Sequence, residues 1–102
     1  MSPIIKNLFG KKEDLKSIYQ KGAIILDVRT PNEFNSGHVE GAINIPLDSL
    51  VTRIPDLRKK GKPVITCCKS GARSAIALST LANAGLEVYN GGGWSSLANL
   101  IR

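Results

Sequence analysis

Apolar residues in this chain fall into short dense runs, separated by polar stretches with helical spacing. Ala23–Val28 (A-I-I-L-D-V) is apolar except for Asp27, the pattern of a strand covered on both faces in a parallel sheet. Ala42, Ile43 and Ile45 predict a second short strand, ended by Pro46. Pro63–Thr66 predicts a third strand leading into Cys67 and Cys68, and Val88 and Tyr89 a short last one. Between them, Lys12–Lys21 places Leu15, Ile18 and Tyr19 on one helical face, with Gly22 where a C-terminal cap belongs. Thr30 and Pro31 read as the N-cap and first residue of a short helix carrying Glu33 and Phe34. Leu47–Ile54 reads as a helical turn or two that Pro55 closes off. An alanine-rich helix spans about Ala72 to Ala84, with Gly85 and Leu86 as its stop, and Trp94–Ile101 is a terminal helix after an Asn90–Gly93 turn. Pro3–Phe9 gives mixed signals, with Ile4 and Ile5 able to begin a strand. Strands that alternate with helices predict an α/β domain with a mainly parallel sheet.

The 102 residues suit one domain, 1–102, and a chain of this size buries roughly 65% of its unfolded surface. No apolar run approaches the roughly 20 residues that span a bilayer, and Met1–Lys12 lacks the pattern of a signal peptide. Two adjacent cysteines suit an ordinary disulfide poorly, so a reducing cytoplasm is the expected compartment. The net charge of +6 implies attraction to anions. The basic cluster Arg58, Lys59, Lys60 and Lys62 has no interleaved aromatic residue, and reads as a solvated loop rather than a nucleic-acid surface.

The chemistry concentrates in Cys68-Lys69-Ser70-Gly71-Ala72-Arg73-Ser74, a tight loop between strand and helix. Unpaired N–H groups at a helix start favour negative charge, and they predict a reactive, partly ionised Cys68. Gly71 permits a sharp bend, so the amides of Lys69, Ser70, Gly71, Ala72 and Arg73 can curl around a sulfur as an anion nest. Lys69 and Arg73 add positive charge. The combination predicts covalent catalysis on an anionic substrate by a cysteine nucleophile. Asp27 and Arg29 read as a structural ion pair, His38 as unneeded for a base beside an already ionised thiolate, and Cys67 as a core residue pointing away from Cys68. One histidine and two adjacent cysteines make no metal site, and Gly91–Gly93 follows the wrong strand for a dinucleotide fingerprint. No cofactor is implied.

The stretch D-V-R-T-P-N-E-F-N-S-G-H-V-E-G-A-I-N-I-P-L, Asp27–Leu47, resembles the long signature of rhodanese-like domains. C-K-S-G-A-R-S is similar to that family's active-site loop, and L-E-V-Y-N-G-G-G-W to its segment before the last helix. The resemblance implies a five-stranded parallel sheet flanked by helices on both faces. It also implies a thiosulfate sulfurtransferase (rhodanese) activity. Cys68 would take a sulfane sulfur from thiosulfate or another donor as a persulfide, and pass it to cyanide or a thiol, including a thiol protein. From Cys68 to Arg73 the loop has six residues, one fewer than in the related phosphatases and arsenate reductases, which favours sulfur over a tetrahedral oxyanion. The competing readings are a phosphatase or arsenate reductase of the related fold, and a non-catalytic interaction module of the rhodanese fold.

Overall fold

A computed structural model describes residues 12–102. In chain order the elements are α1 (Lys12–Gln20), β1 (Ile24–Asp27), α2 (Pro31–Asn35), β2 (Ile43–Asn44), α3 (Leu50–Lys60), β3 (Val64–Cys68), α4 (Ala72–Asn83), β4 (Val88–Gly93) and α5 (Trp94–Ile101). The strands form one parallel sheet in the order β2-β1-β3-β4. Five strands were expected, and the described residues form four. Each apolar run between helices supplies one strand, and only four such runs lie between Ile24 and Gly93. The remaining candidate, Ile4–Ile5, lies outside the described residues.

Two cores flank the sheet. On one face Leu26, Val28, Val64, Cys68 and Val88 pack with Leu50 and Leu57 of α3 and Ala77, Leu81 and Ala82 of α4. On the other, Ile25, Ile65, Cys67 and Tyr89 pack with Leu15 of α1 and Leu97 and Ile101 of α5. All five residues of β3 are buried, as a central strand between two helical layers requires. Successive residues of a strand face opposite ways, so the two adjacent cysteines enter different cores.

Local signals closed the helices as the sequence suggested. Thr30 caps α2 in a full capping box with Glu33. After α4, the amide of Gly85 donates to Ala82 O and that of Leu86 to Leu81 O, the paired bonds that satisfy the last carbonyls. The same pair follows α1, from Gly22 to Tyr19 and from Ala23 to Ile18.

Three boundaries differ from expectation. Helix α3 runs through Pro55 without a break. Leu50, Ile54 and Leu57 form its buried stripe, while Pro55 and the preceding turn's Val51 face solvent, so water can satisfy the carbonyl that proline leaves unpaired. Strand β3 extends through both cysteines. Strand β4 takes in Asn90–Gly93, read from the sequence as a turn, because the glycines let that segment lie close against β3.

Neighbouring strands β1 and β3 send the chain to opposite sides of the sheet, to β2 and β4. This reversal opens a crevice beyond their carboxyl ends, where open α/β sheets bind ligands. Asp27 ends β1 and Cys68 ends β3.

Restoring the missing helical hydrogen bond by Pro55→Ala stabilises the domain by about 1–2 kcal/mol. Leu57→Ala, by contrast, loses about 2–5 kcal/mol from the core. Urea unfolding midpoints of the two variants should move in opposite directions.

Candidate active site

Helix α4 is preceded by its N-cap Gly71, whose φ of 109° lies where glycine is favoured and which has no side chain to receive a helical amide. The Cys68 sulfur takes that place. Gly71 N donates to Sγ at 3.0 Å and Ser74 N at 3.4 Å. The residue is only 1% exposed, so the sulfur sits at the floor of the loop. Burial alone would oppose ionisation. The amide of Ser74, with the amides of Gly71 and Ser70, outweighs it and holds the thiol below its ordinary value.

Cys67, one residue earlier, is its opposite. Burial first, and the nearby Asp27 carboxylate second, push its thiol up to about 12. Both cysteines are free, and only Cys68 is set up to ionise.

The loop's shape depends on residues beyond it. Thr66 Oγ1 donates to Ser74 O at 3.0 Å, tying the first turn of α4 to β3. Asn90 Oδ1 accepts from Ser74 Oγ at 2.7 Å and from Gly92 N at 2.8 Å, tying the same turn to β4. Between Thr66 and Cys68 the β3–β4 register shifts: two steps of β3 face three of β4, from Asn90 to Gly93. A bulge of this kind re-aims the chain beside a site. The glycines there permit contact rather than a turn. A methyl on Gly93 would lie 2.8 Å from Lys69 O, and one on Gly91 2.7 Å from Thr66 O.

Asp27 and Arg29 form the other wall. Arg29 grips the carboxylate through Nε at 2.9 and 3.1 Å and through Nη2 at 2.8 Å, with both side chains buried. Its guanidinium also donates to Gly37 O and Glu33 O, and lies 5.0 Å from the centroid of the Trp94 ring. The pair is a clamp that fixes the α2 segment against the sheet, in keeping with its reading as structural. His38 stacks on Phe34 with centroids 3.7 Å apart, and its Nδ1 lies 2.7 Å from Phe34 O. That arrangement secures the turn after α2.

The loop residues named from the sequence have separate fates. Gly71 and Ser70 direct amides at the sulfur. Ala72 is exposed at the helix start, and Lys69 is exposed and makes no ion pair among the described residues. Arg73 turns its guanidinium to Glu33, with bonds of 2.7 and 2.9 Å to the two carboxylate oxygens. Arg73 first, and the Thr30 amide next, hold the Glu33 carboxyl down to about 2. Sequence reasoning passed over Thr66, Ser74 and Asn90 as site residues. Ser74 sits in the loop motif and was legible as a further helix-start amide, whereas the Thr66 and Asn90 contacts join separate elements. No group of three or more potential metal ligands occurs among the described residues, nor does a helix long and apolar enough to cross a membrane.

Taken together, a doubly wound parallel sheet carries a thiolate-stabilising loop at its topological switch point. The chain belongs to the rhodanese-like domain family, whose model matches residues 11–99. It is 44% identical over 80 residues to the uncharacterized protein YqhL of Bacillus subtilis, covering 78% of this chain and 62% of that protein. The thiosulfate sulfurtransferase PspE of Escherichia coli is 37% identical over 78 residues, 72% of each chain. Among solved structures, a rhodanese with anions from Escherichia coli superposes with a TM-score of 0.66 at 36% identity, covering 72% of this chain and 89% of that one.

Two outcomes follow. Gly93→Ala drives a methyl into the Lys69 carbonyl, costs about 1–3 kcal/mol and moves the Cys68 titration upward, as read by thiolate absorbance. Because Glu33 is held below its ordinary 4.5, its contribution to stability is complete above that pH and is lost as pH falls toward about 2. Glu33→Gln should remove that part of the acid unfolding profile.

Proposed function

We propose that this chain is a sulfurtransferase that carries a sulfane sulfur as a persulfide on Cys68. The observation that carries the reading is the Cys68 sulfur held by the amides of Gly71 and Ser74 at the start of α4. A nucleophile needs its thiolate, and this loop stabilises one without a histidine base. The family membership and the sulfurtransferase name of a 37% identical relative support the same chemistry.

In the first half-reaction the thiolate attacks the outer sulfur of the donor. With thiosulfate a bond forms between Cys68 Sγ and that sulfur, the donor S–S bond breaks, and sulfite leaves with the electron pair. The product persulfide carries one negative charge on a sulfur about 2 Å farther from the protein than Sγ. That atom rises from the floor of the loop toward solvent, within the ring of amides from Lys69 to Arg73. In the second half-reaction a nucleophilic acceptor, cyanide or a thiolate, attacks the outer sulfur and releases the Cys68 thiolate. No net oxidation occurs. A thiol protein is a suitable acceptor, since the loop lies at the carboxyl end of β3 with Lys69 and Ala72 exposed. A reducing cytoplasm suits the free thiols.

Intact-mass measurement after incubation with thiosulfate or a small persulfide tests the proposal. One added sulfur atom, removed by cyanide, is expected for the wild type and for Cys67→Ser, and none for Cys68→Ser. Loading that depends on Cys67 would refute the assignment. Turnover of an aryl phosphate with no persulfide would favour a phosphatase.

A further inference from the structure

At the end of the sheet away from Cys68, strands β1 and β2 start out of step. Strand β1 begins at Ile24, whose amide donates to Pro63 O, just before β3, at 2.8 Å. Strand β2 joins on the other side only at Ile43, which lies opposite Leu26. Ile24 and Ile25 therefore have no strand beside them there, and the sheet is notched. A cleft of about 490 Å³ fills the notch, a volume that suits a small ligand. Tyr19, in the last turn of α1, borders it from one face of the sheet, and Lys60, the last residue of α3, from the other.

The lining is apolar within and charged at the rim. Ile24 is the one residue of β1 that is not buried, and it joins neither core. Tyr19 and Ile43 are half-buried beside it. Three large apolar side chains left part-open in one concavity offer a surface for a ligand's apolar part. Lys60, Lys62 and Glu40 are exposed around them and make no ion pair among the described residues. Two lysines against one glutamate leave one net positive charge, which matches a monoanion better than a dianion.

We infer that this notch binds a carboxylate that carries an apolar tail. The tail covers Tyr19, Ile24 and Ile43, and the carboxylate stands between the two lysines. A medium-chain acid and a protein C-terminus ending in an apolar residue both present that chemistry. The site goes beyond the sulfur chemistry and does not depend on it, since the cleft opens at the amino ends of β1 and β2 and Cys68 lies at the carboxyl end of β3.

Titration of the isotope-labelled protein with octanoate, followed through its amide resonances, tests the site. Saturable shifts are expected at Gly22, Ile24, Gly41 and Ile43, and none at Lys69–Arg73. Octanamide has the same shape without the charge and should bind about tenfold more weakly, and added salt should weaken octanoate. Replacing both exposed lysines, Lys60→Gln with Lys62→Gln, should cost octanoate about tenfold, whereas Glu40→Gln should strengthen it about threefold. Ile24→Thr keeps a β-branched residue in the strand, removes apolar surface, and should weaken octanoate about fivefold. A short peptide ending in leucine, with a free carboxylate or as its amide, forms the second arm. If the free peptide outbinds octanoate the ligand is a protein terminus, and if octanoate is tighter it is a free acid. Octanamide binding as well as octanoate would overturn the inference. So would shifts confined to the Cys68 loop, no saturable shift at the notch with either carboxylate, or unchanged affinity in the folded double-lysine variant.

Discussion

A buried sulfur can carry a negative charge only if hydrogen bonds replace the water it has lost. In this protein the donors come from a helix that lacks a side-chain cap of its own. Ordinarily a serine, threonine or aspartate at the N-cap accepts the free amides of the first turn. Gly71 has no side chain to do so, and Cys68, three residues earlier, accepts them instead. The same bonds that complete α4 therefore lower the pKa of the thiol. Fold stability and reactivity share one set of contacts, which is why the loop cannot be loosened without changing both.

That arrangement makes demands on the rest of the chain. Strand β3 must be buried on both sides so that it delivers Cys68 to one core and Cys67 to the other. A neighbouring strand must come close enough to brace the loop, and Gly91 and Gly93 allow it where a side chain would collide with backbone carbonyls. Thr66 and Asn90 then fasten the first turn of α4 to the strands on either side of the bulge. Across the crevice, Arg29 holds the α2 segment in place, which positions Glu33 to meet Arg73. The loop is thus held from beneath by the sheet, and at its rim by a partly exposed ion pair.

Two positively charged loop residues that look equivalent in the sequence have become different. Lys69 projects into solvent, where its charge is available to an approaching anion. Arg73 meets a carboxylate forty residues away in the chain, and the pair has little net charge at the mouth. Geometry, rather than composition, separates a group left open to solvent from one that shapes the site. The formal charge of +6 is accordingly a poor guide to the potential above Cys68.

The linear order of residues determined the alternation of strands and helices, because apolar runs and capping residues act over a few positions. Thr30 with Glu33, and Gly85 with Leu86, worked as local stops and starts. Cys68 as the candidate nucleophile was legible for the same reason: a strand end, a glycine and a helix start lie within four residues of it. Pro55 misled, since a rule about isolated helices was overridden by the buried stripe of Leu50, Ile54 and Leu57 and by solvent on the proline's side. Asn90–Gly93 misled because its glycines serve a contact with β3 that local sequence does not reveal. Tertiary structure alone decided the bracing by Thr66 and Asn90 and the pairing of Arg73 with Glu33. Those contacts join residues far apart in the chain, and only folding the sheet brings their hydrogen-bonding atoms within reach.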